Sequence, residues 1–461
     1  MIERIEQFTE TLVNLAWGMP LVALLVGGGL FFVVISRFQP YRYFGHALAV
    51  LTGKYDDPEA EGDINHFQAL SAALAATVGM GNIGGVAVAI TMGGPGAIFW
   101  MWVSAMVGMA TKFFTCTLAI MYRGKDSLGK TQGGPMYVIT EGLGKKWKPL
   151  AIFFSICGLI GCTPIFQANQ LTQIVRDEIL IPMQLATPEA HFFADLVVGL
   201  ILMTLVAIVI FGGIKRIGNV AAMLVPFMVA LYVIGVVYIL LINYQVVPDF
   251  LMMIVTDAFR GEYINGEAAF GGALGAVIII GVRRAAFSNE AGIGTESMAH
   301  GAAKTNEPVR EGLVAMLEPA IDTLLVCTMT ALAILITGVW QTTDGDGVTL
   351  TASAFSAGIP YVGVPILIVC VIIFALTTMF TYSYYGGKCL GFLIGAEYKP
   401  YYNYFYILSI VFGSVMSIGA VINILDTMFA MMAIPTMLSS ILLAPKVVAA
   451  AKDYFRRLEE E

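Results

Sequence analysis

Charged residues are scarce in this chain, and their scarcity argues against an ordinary soluble protein. Asp, Glu, Lys and Arg make up 12% of the 461 residues, whereas a soluble domain carries about 25%. Hydrophobic residues make up 58%, and the mean hydropathy is +0.81. No basic patch with interleaved aromatic residues is present, so nucleic acid is not expected as a partner. The composition predicts a polytopic membrane protein.

Cysteine and histidine are also sparse, which bears on disulfides and metal centres. The six cysteines lie in or beside apolar segments and form no CxxC motif, so we interpret them as small apolar side chains. The four histidines are scattered along the chain, which argues against a metal site. P-loop, HExxH and GxSxG motifs are absent, so no enzymatic activity is predicted. No loop is long enough to hold the nucleotide-binding domain of an ATP-driven pump.

Apolar runs of about 20 residues dominate the sequence, and each is long enough to cross a bilayer as a helix. We therefore expect an all-α protein with eleven transmembrane helices. The runs lie near residues 14–36, 66–91, 95–121, 149–175, 192–212, 218–243, 250–282 (interrupted), 312–338, 363–386, 402–420 and 422–445.

The distribution of lysine and arginine predicts the orientation of these spans. If the N-terminus lies outside, 21 of the 25 Lys and Arg residues fall on the cytoplasmic side, three fall outside, and Lys112 lies within a span. Because cytoplasmic loops are enriched in positive charge, this asymmetry supports both the number of spans and a cytoplasmic C-terminus.

The span between Asn65 and Phe99 is unusually rich in glycine. Its centre, residues 75–85, contains four glycines together with Thr77 and Asn82. Glycine weakens a helix, and unwound backbone in hydrocarbon survives only where it is buried in protein or lines a cavity. A broken helix exposes carbonyls, which suit a cation such as Na⁺, and amides, which suit a carboxylate. These features outline a transport site; close packing of two helices through small residues is the alternative.

A second glycine-rich interruption is expected if the chain is a transporter built from two repeats. The candidate is the segment 270–276, which is followed by an apolar half-helix and by Arg283 and Arg284. We expect these arginines to mark the cytoplasmic surface. About ten helical residues rise roughly 15 Å, or half a bilayer, so the glycines are expected near the midplane. A glycine kink for helix packing is the alternative.

The spans after the first fall into two groups of five. One group begins with the break at 77–82 and the other with the break at 271–276, and the two groups begin on opposite sides of the membrane. This predicts a single transport domain, 1–461, with one extra N-terminal helix and a 5+5 inverted-repeat core in which the first and sixth core helices are broken. Its parts are the extra helix at 14–36, the repeats at 66–243 and 250–445, and a cytoplasmic tail at 446–461.

Polar side chains in two further spans extend the candidate site. Thr377 and Thr378 provide adjacent hydroxyls, which can complete a Na⁺ site built on the carbonyls of a broken helix; hydrogen bonding to the preceding turn is the alternative. In the fourth span, Pro164 bends the helix, and the amide side chains at 167, 170 and 173 follow one face. We expect Phe166 and Gln170 to contact substrate in a wet cavity, with helix–helix hydrogen bonding as the alternative.

Several ionisable residues and one polar segment have uncertain placement from sequence. Five ionisable residues lie at or near span ends. Each could act as a gate or as the partner of an ion, and interfacial pairing is the alternative. They are Lys112, Glu290, Glu318, Asp322 and Asp426. The segment 288–295 is polar and rich in glycine, and we expect it just inside the cytoplasmic face as an inner gate.

Three stretches carry motifs that are specific in combination: GMGNI at 79–83, GGPGAIFWMWVSAMVG at 93–108 and FSNEAGIG at 287–294. Together they resemble the alanine or glycine:cation symporter family, also called the sodium:alanine symporter family. The resemblance covers most of the chain. It implies Na⁺- or H⁺-coupled uptake of alanine or glycine across a prokaryotic cell membrane. It also implies a leucine-transporter-type core of ten helices, here preceded by one extra helix.

The resemblance further implies a set of site residues. Na⁺ is expected to bind the carbonyls of Ala75 and Val78 and the hydroxyls of Thr377 and Thr378. A second Na⁺ site, present in some relatives, requires more oxygen ligands around Asn82 than the sequence places there. The residues expected to hold the substrate are, besides Phe166 and Gln170, Thr77, Gly79, Met80, Gly81 and Asn82 on the first broken helix and Gly271, Gly272 and Gly275 on the sixth.

We therefore expect a secondary active symporter that couples inward movement of Na⁺, or of H⁺, to uptake of a small neutral amino acid by alternating access. Membrane lipid and the amino acid are the expected partners, and the sequence does not reveal the oligomeric state. The nearer alternative is a cation-coupled transporter of another small solute. A channel or a non-transporting receptor is the more distant one, and the repeat within the chain argues against a channel.

Overall fold

The fold is helical throughout the part of the chain that is described. The computed structural model describes residues 10–263, 272–343, 345 and 347–460. Within these ranges, the one sheet is a short antiparallel pairing of Gly124–Lys125 (β1) with Thr131–Gln132 (β2). The predicted class, a helical membrane protein, is confirmed.

The principal helices form a bundle in which long helices alternate with short connecting ones. In chain order they are α1 (Glu10–Ala16), α2 (Met19–Ile35), α3 (Phe44–Leu51), α4 (His66–Thr77), α5 (Gly81–Gly93), α6 (Gly96–Met121), α7 (Lys145–Leu180), α8 (Phe192–Ile210), α9 (Gly213–Ile242), α10 (Val247–Arg260), α11 (Gly272–Asn289), α12 (Glu296–His300), α13 (Pro308–Ile336), α14 (Gly347–Gly358), α15 (Gly363–Ile394), α16 (Lys399–Val415) and α17 (Ile418–Glu460). Short turns of helix also occur at Gln39–Arg42, Pro135–Tyr137 and Val339–Thr342.

Length and composition identify the helices that can cross a membrane. Among the described residues there are seven: α6, α7, α8, α9, α13, α15 and α17. Two bent pairs, α1 with α2 (46°) and α4 with α5 (50°), raise the number to nine. The shorter α11 and α16, of 18 and 17 residues, are not in this set. The total of eleven spans is therefore not confirmed and stays a prediction.

The first broken helix lies where the glycines predict it. α4 begins with a capping box, in which Asn65 and Gln68 exchange side chain–backbone hydrogen bonds of 2.8 and 3.0 Å. It ends at Thr77; Val78 leaves the helical conformation (φ −71°, ψ 90°), and α5 begins at Gly81. Residues 75–85 are all buried, so protein encloses the unwound backbone, as a hydrocarbon environment requires.

The second interruption lies between α11 and α12, at residues 290–295. α11 is continuous from Gly272 to Asn289, and the chain leaves it through three residues in the left-handed region. These are Glu290 (φ 56°), Gly292 (φ 86°) and Gly294 (φ 98°). A left-handed backbone at Glu290 is unfavourable for a side-chain-bearing residue, and the two glycines that follow reverse the chain without that penalty.

This placement corrects two predictions. The break expected at 271–276 is wrong for residues 272–276, which are helical; Gly271 lies outside the described residues. The segment 288–295 is not a gate near the cytoplasmic surface, because it is buried and forms the second interruption itself. Glycines 272 and 275 belong to the first turn of a helix, and glycine content alone did not distinguish a helix start from a midplane break.

The packing places both interruptions inside the bundle and leaves an apolar belt outside it. α11 and α13 pack along α6, and α15 packs against α4 and α9. α8, α9 and α16 lie at the periphery, with large exposed apolar side chains such as Leu200, Ile201, Leu205, Ile234 and Phe412. An exposed apolar surface of this extent is suited to lipid rather than to water.

Candidate functional site

The two interrupted helices meet at Gly81. A Cβ atom on Gly81 would lie 3.3 Å from the Cα of Ser288 and 3.6 Å from the carbonyl oxygen of Phe287. Backbone therefore contacts backbone where α5 begins and α11 ends, which glycine permits because it has no side chain.

Asn82 holds the first break in its unwound form. Its Oδ1 accepts the N–H of Gly79 at 2.8 Å, and its own N–H donates to the Gly79 carbonyl at 3.1 Å. In an uninterrupted helix, these two N–H groups would bind the carbonyls of Ala75 and Val78. The break therefore releases both of the carbonyls that the sequence predicts as Na⁺ ligands.

The hydroxyl of Thr378 lies against the same break. A Cβ atom on Gly79 would come within 2.5 Å of Thr378 Oγ1. Thr378 donates to the Phe374 carbonyl at 3.0 Å, which leaves the oxygen lone pairs available to a cation. Thr377 donates to the same carbonyl at 3.1 Å and lies 3.7 Å from the sulfur of Met228 on α9. The back-bonding that we considered as the alternative is thus present, and it does not prevent coordination.

Asp322 connects the two breaks. It lies in a π-helical stretch of α13, Ala320–Cys327, and accepts hydrogen bonds from Asn82 Nδ2 at 2.6 Å and from the hydroxyls of Ser288 and Thr323, both at 2.7 Å. All four side chains are fully buried. Asp322 was one of several ionisable residues whose position the sequence left open, and it is the residue that joins α5 to α11.

The Asp322 carboxylate lacks a cationic partner. In the described chain, none of the ion pairs includes it, and every hydrogen bond that it accepts comes from a neutral group. Removing a carboxylate from water is unfavourable unless a positive charge compensates it. The carboxylate and the hydroxyls of Ser288 and Thr323 are hard oxygen ligands of the kind that bind Na⁺, and the carboxylate can also bind a proton.

Two aromatic rings close one side of this region. Phe166 is fully buried, and its ring meets that of Phe287 edge to face, with centroids 4.9 Å apart and planes at 86°. The Phe287 ring would lie 3.6 Å from a Cβ atom on Gly81. Phe166 is therefore separated from the first break by one aromatic ring.

The predicted polar contacts on α7 and α4 are engaged with protein groups. Gln170 accepts the N–H of Val348 at 3.1 Å and donates to Gln173 at 2.8 Å, so it joins α7 to α14, as the helix–helix alternative predicts. Thr77 donates to the Ala73 carbonyl at 3.1 Å. Met80, the remaining predicted residue of this break, is fully buried.

Gly272 and Gly275 lie far from the meeting point of the two breaks. α11 is continuous, so Gly275 lies 13 residues and about 20 Å before Ser288, and Gly272 lies farther still. A small amino acid cannot span that distance. The end of α11, and not its start, meets the first break, so contact of these two glycines with the substrate stays a prediction that this arrangement does not support.

Arg283 and Arg284 also depart from the prediction. Both are buried and both pair with Asp426 of α17; Arg283 does so at 2.5 Å. The backbone carbonyl of Asp426 accepts the indole N–H of Trp17 at 2.8 Å, and the Arg284 guanidinium lies 5.2 Å from the Phe287 ring centroid. These arginines therefore fix α11 to α17 and do not mark a membrane surface.

A buried charged network lies on the other side of the breaks. Lys112 pairs with Glu318 at 2.5 Å. Glu311 accepts from both His66 of α4 and His300 of α12, the latter at 2.5 Å. Two of the four scattered histidines thus meet at one carboxylate, which holds the short helices next to both breaks against α13. Among the described residues, no group of three or more potential ligands could hold a metal ion.

Interrupted helices that meet inside a helical bundle, with released carbonyls and a buried carboxylate, define a secondary transporter of the leucine-transporter type. The crystal structure of MhsT in complex with L-phenylalanine has the same fold, with a TM-score of 0.57 over 85% of this chain and 98% of that one, at 15% identity. At that identity, the likeness concerns the fold alone.

The chain belongs to the sodium:alanine symporter family, whose model matches residues 2–461. It is similar to the sodium/alanine symporter AgcS of Methanococcus maripaludis, with 39% identity over 454 residues and 96% coverage of both chains. It is also similar to the probable sodium/glutamine symporter GlnT of Bacillus subtilis, with 33% identity over 457 residues, 98% of this chain and 92% of that protein. The protein is thus a multi-pass membrane transporter and not an enzyme, and cation-coupled amino-acid transport is its function.

Proposed function

We propose that this protein is a Na⁺-coupled symporter of a small neutral amino acid, alanine or glycine. The observation that carries the proposal is the contact of Gly81 with the end of α11. It brings the amide-bearing start of one helix to the carbonyl-bearing end of another. A zwitterion carries the two charges that these helix ends attract.

The substrate carboxylate binds the amides of Met80 and Gly81, at the N-terminal end of α5, whereas the Gly79 amide, which the sequence also predicts there, is already bound by Asn82. Its ammonium group binds carbonyls at the C-terminal end of α11, where the last carbonyls of a helix lack intrahelical partners. Phe287 and Phe166 behind it form the wall facing the side chain. Because the Phe287 ring would be in van der Waals contact, at 3.6 Å, with a Cβ atom on Gly81, the space suits a hydrogen atom or a methyl group.

Two positions suit the coupling ion. One is formed by the released carbonyls of Ala75 and Val78 with the hydroxyls of Thr377 and Thr378. The other is formed by Asp322 with the hydroxyls of Ser288 and Thr323, and its uncompensated carboxylate is the stronger attraction for a cation. Gln170, Thr77 and Asn82 hold the helices that carry the substrate-binding groups.

The architecture proposed from the sequence accommodates this site. We retain eleven spans, with an extra helix before a 5+5 inverted repeat in one transport domain, and an N-terminus outside a prokaryotic cell membrane. Removing the buried Arg283, Arg284 and Lys388 from the count of cytoplasmic positive charges still leaves a large excess on that side. We place the interruption of the second repeat at residues 290–295 and no longer at 271–276.

Uptake of radiolabelled alanine into proteoliposomes tests the proposal. Inward gradients of Na⁺, K⁺ and H⁺ are compared, and unlabelled glycine, serine and glutamine are added as competitors. Accumulation above equilibrium with Na⁺, blocked by glycine and not by glutamine, is the expected result. Accumulation driven by H⁺ alone would contradict Na⁺ coupling, and competition by glutamine alone would contradict the assignment of a small substrate.

A further inference from the structure

A basic cavity opens at the surface between the start of α9, the end of α15 and the start of α16. Its volume is about 520 Å³. Four lysines line it, against a single carboxylate, that of Asp63. The lysines are Lys130, Lys215, Lys388 and Lys399. This excess of positive charge lies at the face that the sequence predicts to be cytoplasmic.

The positive charge of the cavity is not neutralised by ion pairs among its own residues, and Lys388 is the clearest example. It is 2% exposed, and its ammonium donates to the Met298 carbonyl at 3.0 Å. None of the ion pairs among the described residues includes it. Burying an ammonium group with only a neutral acceptor is unfavourable, and an anion bound beside it would remove that penalty.

Asp126, a carboxylate that does not line the cavity but contacts two of its lysines, already has partners. Asp126 pairs with Lys399 at 3.1 Å and accepts the N–H of Lys130 at 3.0 Å. Burial would raise the pKa of Asp126, but these two partners outweigh it, so the pKa lies below its usual value. Asp126 is thus ionised and neutralises Lys399, which leaves Asp63 as the one carboxylate in the lining beside Lys130, Lys215 and Lys388, and none of these three lysines forms an ion pair among the described residues.

The backbone adds donors to the same cavity. The 30-residue helix α9 begins here, and its first N–H groups have no partner within the helix. Gly213 has a φ of 69°, and a Cβ atom there would meet nothing within 4 Å. The N-terminal end of a long helix therefore points into open space beside the lysines, an arrangement that favours phosphate.

The surroundings of the cavity indicate where such an anion comes from. Phe211 at its edge is 50% exposed, and its ring centroid lies 5.5 Å from that of Tyr404, which is 57% exposed, with the two planes at 55°. Tyr401 and Phe405 are exposed beside them. Exposed aromatic residues at the ends of membrane helices are typical of the lipid headgroup level, and the apolar outer faces of α8 and α16 continue from there.

We propose that this cavity binds the headgroup of an anionic phospholipid, with the phosphate held by Lys130, Lys215, Lys388 and the first amides of α9. The acyl chains then lie along α8 and α16. Lys388 donates a hydrogen bond to the carbonyl of Met298 in α12. The Lys388 side chain therefore connects the bound headgroup to the helix that follows the second interruption. Basic pockets at the cytoplasmic ends of membrane helices are suited to such lipids.

Binding of a fluorescent short-chain phosphatidylglycerol to the detergent-purified protein tests this site without reference to transport. The variant Lys130→Gln/Lys215→Gln removes two exposed lysines from the cavity. Lys145→Gln/Lys146→Gln, at the start of α7, is the matched control, because those lysines are also exposed and form no ion pair in the described chain. Each cavity lysine contributes about fivefold to binding, so the first variant should bind about 25-fold more weakly, and the control should bind as the parent does.

Two further measurements separate the possible occupants. Phosphatidylcholine with the same chains should bind weakly, and glycerol 3-phosphate or inorganic phosphate should displace the lipid only at far higher concentration. Equal loss of affinity in both lysine variants, or equal affinity for phosphatidylcholine, would overturn the proposal. Displacement by free phosphate at the same concentration as the lipid would overturn its assignment to a lipid.

Discussion

Replacing Asp322 with asparagine separates the charge of this residue from its hydrogen bonds. Asparagine has nearly the same shape, and its carbonyl can still accept the amide of Asn82. The hydroxyls of Ser288 and Thr323 can rotate to accept hydrogen bonds from the new amide. The substitution therefore removes a negative charge between the two interrupted helices while it preserves their connection.

The expected effect follows from Coulomb's law. Two unit charges about 4 Å apart, at an effective dielectric constant of about 20, attract each other by about 4 kcal/mol. If half of this is offset by the loss of water around the ion, about 2 kcal/mol remains, which corresponds to roughly thirtyfold in the dissociation constant. Asp322→Asn should therefore raise the Na⁺ concentration for half-maximal uptake about thirtyfold.

Thermal unfolding in detergent, with NaCl titrated against KCl, measures this effect independently of transport, because a bound ion stabilises the folded state. The variant should lose the Na⁺-dependent rise in unfolding temperature without becoming less stable in its absence. Asp257→Asn is the control, since Asp257 is also buried and accepts N–H groups of Gly96 and Glu262 at 2.7 and 2.8 Å. An unchanged Na⁺ response in Asp322→Asn would refute the reasoning.

Three further substitutions test other parts of the site. Gly81→Leu should abolish alanine binding, because a Cβ atom there already meets the backbone of α11 at 3.3 Å, whereas Gly27→Leu points into open space and should be neutral. Thr378→Ala should weaken Na⁺ activation of uptake by about tenfold through loss of one oxygen ligand, with Thr381→Ala one turn away unchanged. Glu311→Gln should lower stability by about 3 kcal/mol, because it leaves two buried histidines without their carboxylate.

Each of these has a clear opposing result. Normal alanine affinity in Gly81→Leu, measured by scintillation proximity, would remove the first break from the substrate site. Equal Na⁺ activation in the two threonine variants would exclude Thr378 as a ligand. An unfolding midpoint for Glu311→Gln that matches the parent would show that the two histidines do not depend on this carboxylate.

The first interruption was predictable because its causes are local. Glycines within an apolar span, with Asn82 among them, already imply a helix that unwinds where protein surrounds it. The side chain of Asn82 replaces the bond that Gly79 would otherwise make with the preceding turn. These residues lie within a few positions of one another, so the sequence shows them together.

The second interruption was misplaced because its setting depends on distant residues. Arg283 and Arg284 look like a membrane boundary in the sequence, and the segment after them was accordingly placed near the surface. Their partner, Asp426, is more than 140 positions away, and the pairing allows both charges to be buried. Once the arginines are inside the bundle, the residues that follow them are inside it too, and the break falls at Glu290.

The partners of the buried carboxylates distinguish those that hold the bundle together from those that are available to an ion. In the described chain, the buried carboxylates with cationic partners include Asp195 with Arg176, Glu311 with two histidines, Glu318 with Lys112, and Asp426 with two arginines. Asp257, Glu290, Glu296 and Asp322 are buried and accept hydrogen bonds from neutral groups, and of these four Asp322 is the one that bonds to both Asn82 of α5 and Ser288 of α11. A transported cation must bind and leave in each cycle, so a permanently paired carboxylate is unsuited to it. The free energy that burial of Asp322 requires is recovered when Na⁺ binds, and this difference can link ion binding to closure of the two interrupted helices around the substrate.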